Sequence, residues 1–139
     1  LGSLLSALGW FAVGSLGAAL PAIANGASID AWDLRLVAAP IVLGWAAQAI
    51  VGSAAHLLPA IGPGGPAAHR ALRGALGRWW PARLAALNGG TALLGVGMVA
   101  DGAVAAASGL LLAAGAIVAT ALLALASIVA SREGRQANV

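Results

Sequence analysis

The chain is 139 residues long, 61% hydrophobic and only 8% charged, with seven basic residues against four acidic ones. Soluble domains carry roughly 25% charged residues, so this composition excludes a water-soluble monomer and points to a polytopic helical membrane protein. The absence of cysteine excludes disulfides, thiolate metal sites, iron–sulfur clusters and a cysteine nucleophile, and two histidines with one methionine leave few ligands for a transition metal. All seven basic residues are arginines, too few and too scattered for a nucleic-acid face, so no nucleic-acid partner is expected.

A span needs about 20 mostly apolar residues to cross about 30 Å of hydrocarbon. Taken in chain order, residues 1–24 carry no charge and end near Pro21 and Asn25-Gly26. Residues 34–59 hold Arg35 at the mouth and His56 near the end, where Pro59 is expected to close the helix. Residues 84–100 follow Pro81, a good first-turn residue, and residues 103–130 form the longest apolar run. Asp101-Gly102 separates the last two as a tight turn. Open sheets do not survive in lipid and the runs lack alternation, so the expected fold is all-α: one domain, a four-transmembrane-helix bundle.

The loop 60–83 between the second and third spans begins with the helix-breaking Gly62-Pro63-Gly64-Gly65-Pro66. Beyond it, Leu72, Leu76 and Trp79 recur at i, i+4 and i+7 with arginines on other faces, which predicts a short interfacial helix. Arg70, Arg73, Arg78 and Arg83 crowd this loop and Arg132 and Arg135 follow the fourth span, whereas Asp30, Asp33 and Asp101 fall in the other connections. The positive-inside rule then makes both termini and the Arg-rich loop cytoplasmic in a bacterial inner membrane. Trp32, Trp79 and Trp80 stand at span ends, where indoles favour the headgroup layer. Arg70, Arg73, Arg78, Trp79 and Trp80 form an expected lipid- or partner-binding patch. They are also what any cytoplasmic loop carries as topology determinants and anchors.

With lipid tails as apolar as leucine, the helices must associate through small residues and a few interhelical hydrogen bonds. Gly2, Ser6, Gly9 and Gly17 on the first span, Gly44, Gln48, Gly52 and Ala55 on the second, and Ser108, Gly115 and Ala119 on the fourth are the expected contact stripes. Asn88 and Thr91 are expected to bond to a neighbouring helix such as the Gln48 face. No Asp, Glu or Arg lies mid-span, which argues against a proton pump or voltage sensor built from this chain alone. Gln48, Gly52 and His56 share one helix side, and an imidazole there, beside a glycine gap, suits contact with a quinone or haem b. A hydrogen-bonded histidine at a helix end is the plainer alternative.

Residues 43–59, LGWAAQAIVGSAAHLLP, followed by Gly62-Pro63-Gly64-Gly65-Pro66 and Arg70, resemble the transmembrane region preceding the cupredoxin domains of actinobacterial membrane-bound multicopper oxidase and copper nitrite-reductase-like proteins. The resemblance covers residues 43–90. It implies a membrane module of a copper-redox or respiratory assembly, with copper held only in periplasmic domains not present in this chain and no role carried over to His56. The expected function is an anchoring or structural module among other membrane subunits or beside a fused or associated periplasmic cupredoxin domain. The alternatives are a small oligomeric transporter or channel subunit, working as a homo-oligomer, and a quinone- or haem-binding electron-transfer subunit.

Overall fold

In a computed structural model the described residues are 2–26, 28, 33–62 and 65–136, with 131–136 described as backbone. Asp30, Trp32 and the side chains of Arg132 and Arg135, on which the topology argument drew, lie outside that set. The described residues are helical apart from the short connections, with no strand among them. The elements are α1 (Gly2–Asn25), α2 (Leu34–Ile61), α3 (Pro66–Gly77), α4 (Trp80–Val99) and α5 (Ala103–Gln136). Four helices are long and apolar enough to cross a bilayer: α1, α2, α4 and Ala103–Ala130 of α5. Their outer faces are apolar, with leucines, valines and isoleucines such as Leu20, Ile23, Ile50, Val104 and Leu111 more than half exposed.

The second span is one helix in outline and three in register. Leu34–Ala38 is α-helical, Ala39–Ala47 is a π-helix, and Gln48–Ile61 returns to α. Pro40 explains the change, because it lacks an N–H and its ring crowds the carbonyl of residue i−4, here Leu36. The wider register relieves that clash. The Leu36 carbonyl then faces α1 at Gly17, where a Cβ would lie 3.1 Å from its oxygen. Pro59 does not close the helix as expected. It sits in the last turn, which runs on to Ile61 and ends where the Gly62 N–H donates to the Leu58 carbonyl (2.8 Å).

Two devices hold the spans. On the α1–α2 seam, Trp10 lies over Gly44 and Ser3 over Gly52, each glycine leaving the space its neighbour fills. Phe11 and Trp45 pack with ring centroids 5.1 Å apart. The α4–α5 hairpin is held at backbone distance. A Cβ at Gly90 would lie 2.6 Å from the Gly109 carbonyl oxygen, and one at Gly97 would meet the backbone of Ala106. The buried face of α5 is therefore Gly109, Ala113, Ala116, Thr120 and Ala124. The expected stripe does not make it, since Ser108 and Gly115 are exposed. In an Ala-rich helix several stripes look alike in sequence, and close approach selects one.

The hairpin turn is a Schellman closure. Asp101 takes the left-handed conformation (φ 52°) usually given to glycine, and the Gly102 N–H donates to the Gly97 carbonyl (2.8 Å). At this end Asp33 caps α2 by accepting from the Arg35 N–H, and the Arg35 guanidinium pairs with Asp33 and Asp101, each at 3.0 Å. Hydrogen bonding from Arg35 holds the Asp33 carboxyl below its ordinary value. The other end carries the first turn of α1, the last turns of α2, and α3.

Candidate functional site

Asn88 occupies the centre of the α1–α2–α4 interface. Its Oδ1 accepts three hydrogen bonds, from Ser6 Oγ (2.5 Å), Trp10 Nε1 (2.7 Å) and Gln48 Nε2 (3.2 Å). Its Nδ2 donates to the Leu84 carbonyl one turn back (2.8 Å). One carboxamide thus ties three helices. Gly44 makes this geometry available, because any Cβ there would collide with the Trp10 side chain that reaches toward Asn88. Gln48, the first residue after the π-helix, is fully buried, and its Oε1 has no hydrogen-bond partner.

Thr91 departs from the expected cross-helix bond. Fully buried, it donates to the Leu87 carbonyl of its own helix (2.8 Å), the usual economy for a hydroxyl in a helix. The polar cluster lies between two clefts that share its helices. One is an apolar groove of about 390 Å³ whose lining includes Trp10, Arg35, Pro40, Thr91, Gly95 and Val99. The other is a groove of about 600 Å³ toward the α3 end, with Ser3, Gly52, His56, Arg73 and Trp80 in its walls.

His56 is exposed on that second groove and makes no hydrogen bond among the described residues, whereas Gln48 is buried in the Asn88 cluster. The two do not converge on one cavity. The gap at Gly52, moreover, is taken by Ser3, where a Cβ would lie 2.9 Å from that of the serine. This arrangement does not fit a haem or quinone gripped by both residues. No group of three His, Cys, Asp or Glu side chains able to hold a metal occurs among the described residues.

The arginine loop is also reorganised. Its helix α3 docks its apolar stripe on protein: Leu72 and Leu76 are buried against Ala124, with Leu58 and Leu123 packed around them. Trp79 leaves that stripe, because α3 ends at Gly77 and Trp79 turns left-handed (φ 57°) to start α4, with its side chain exposed. Trp80 then opens α4 with Pro81 beside it, so the helix begins at Trp80 rather than Leu84 and takes Arg83 into its first turn. The Arg83 guanidinium donates to Thr120 Oγ1 (2.9 Å), to the Arg78 carbonyl (3.0 Å) and to the Leu76 carbonyl, tying α4 to α5 and capping α3. Its Nε is buried without a partner, and Arg83 lines a cavity of about 60 Å³ with Ser3, Ala55, Leu84 and Thr120, room for a few waters. Arg70, Arg73 and Arg78 are exposed, and their guanidinium groups make no bond among the described residues.

The comparisons with known proteins identify no relative: no family model, no curated protein and no solved structure matches this chain.

Proposed function

We propose that the chain is a multi-pass membrane module, with both termini and the Arg-rich loop that carries α3 in the cytoplasm, that serves as an anchoring subunit of a larger membrane assembly. One observation carries this reading. Glycines inside the bundle are in close contact with a neighbour, as at Gly44, Gly90, Gly97 and Gly109, yet Gly9 on α1, Gly89 on α4 and Gly115 on α5 are exposed with nothing within 4 Å of a Cβ. Glycine weakens a helix by about 1 kcal/mol relative to alanine, and its use in a span is to admit another backbone. Three open glycines on three helices suit helices supplied by other subunits. Asn88 joins α1, α2 and α4, and Arg83 joins α4 to α5, which suits a scaffold. The sequence resemblance of residues 43–90 supports a copper-redox or respiratory setting.

Extraction from native membranes in mild detergent tests the reading. A particle larger than the single chain is expected, and Gly9→Leu, Gly89→Leu or Gly115→Leu should release the intact chain from it. A monomeric wild type with transport activity overturns it.

A small transporter or channel subunit is the second reading, favoured by the two grooves on either side of the Asn88 cluster between the same helices. Solute flux into liposomes that changes with Gln48→Ala or Asn88→Ala would carry it, and flux unchanged by both would remove it.

A further inference from the structure

The groove of about 600 Å³ lies where the first turn of α1, the end of α2, α3 and the start of α4 meet. Its size falls in the range of small-molecule sites, about 300–1,000 Å³. Leu4, Ala55 and Leu76 give it apolar walls, while Arg73 and His56 are its titratable lining groups. Neither spends its side-chain donors within the described protein. No carboxylate lines it, and the described acids Asp33 and Asp101 stand at the opposite end, engaged by Arg35. The groove also shares Ser3, Ala55, Leu76 and Trp80 with the small cavity that Arg83 lines with its unpartnered buried Nε. One arginine, Arg73, thus lines the groove, and a second, Arg83, lines the cavity that shares its wall. Trp80, half-exposed on its wall, has the amphipathic ring that favours headgroup depth.

We propose that this groove is a binding site for one anionic phospholipid, its phosphate held by Arg73 and His56 and its acyl chain lying against Leu4, Ala55 and Leu76. The planar guanidinium matches a phosphate bidentately, and an imidazole N–H adds a donor from the facing helix. The site is a specific place rather than a diffuse basic face: Arg70 and Arg78 belong to the same segment and do not line the groove. The proposal rests on the membrane reading above.

Native mass spectrometry of the full chain in detergent, titrated with phosphatidylglycerol or phosphatidylcholine, tests it. Phosphatidylglycerol should bind at least about fivefold more tightly, the effect of one basic group near an anionic headgroup. Arg73→Gln should abolish that preference and His56→Ala reduce it, while Arg70→Gln leaves it unchanged. Gly77→Leu keeps every charge but fills the groove, since Gly77 lines it with nothing within 4 Å of a Cβ, and should lose the lipid as well. Equal binding of the two lipids, an equal loss in Arg70→Gln, or full displacement by glycerol phosphate at the lipid's own concentration would each overturn the site. A chain that is monodisperse without detergent would instead overturn the membrane reading itself.

Discussion

The α4–α5 hairpin and the α1–α2–α4 interface solve the same problem by different means. The hairpin brings two backbones together at Gly90, Gly97 and Gly109 and uses no interhelical hydrogen bond along that stretch among the described residues. The other interface leaves wider gaps, fills them with Trp10 and Ile41, and sets its register through Asn88. Closeness alone gives dispersion contacts along a seam that several registers of an Ala-rich helix would offer. The three bonds to Asn88 form together only when Ser6, Trp10 and Gln48 all stand level with it. One region is therefore tight and the other specific.

Substitutions separate these roles, beginning with the largest effect. Gly109→Val drives a branched side chain into the Leu94 backbone and the Gly90 carbonyl, neither of which has a flexible end to move. A loss of about 3 kcal/mol or more is expected in detergent unfolding, and a loss below about 1 would mean that the hairpin opens without cost. Asn88→Ala leaves three donors without their acceptor, at about 0.6 kcal/mol each on average in membranes, for a total near 2 kcal/mol. A double-mutant cycle with Ser6→Ala should show coupling, and strict additivity would deny the shared acceptor.

Thr120→Val, nearly isosteric, removes one partner of Arg83 and should cost about 1 kcal/mol, with α3 loosened in hydrogen exchange. Gln48→Met gives up a long bond of 3.2 Å but also a buried acceptor with no partner, so its unfolding should stay within about 0.5 kcal/mol of wild type. The smallest effect is at Asp33. Because its folded-state pKa is depressed, its cap is present above the ordinary carboxylate value of 3.8 and fades as the pH falls through the lowered one. Carboxyl NMR should place its midpoint below 3.8, and a midpoint at or above that value would mean the Arg35 contact does not persist.

Much of the fold was legible in the sequence because long apolar helices are read from length and charge alone. The turn at Asp101-Gly102 and the Asn88–Gln48 bond follow from local chemistry of the same kind. The π-helix was signalled by Pro40, which the apolar run around it masks. Arg83 reads as loop by charge, yet Pro81 starts the helix early enough to draw it in, where two carbonyls and Thr120 accept from its terminal nitrogens. The part of the cluster played by Ser6 and Trp10 was not legible, because it depends on Gly44 yielding space to an indole on another helix. That is a property of packing, which no spacing along one strand of sequence contains. Trp79 left its apolar stripe for a reason equally remote from periodicity, the left-handed turn that redirects the chain.

The Asn88 cluster also imposes an order in time. Ser6, Trp10 and Gln48 are synthesised well before the residue whose oxygen they share, and a helix entering lipid has no water with which to satisfy them. If the spans enter a bilayer in chain order, as the proposed function requires, the first two wait as an incompletely paired hairpin until the third arrives, and its arrival ends their freedom to slide. The register of the early helices is chosen by a late one, so a chain interrupted before Asn88 should insert but remain unsettled.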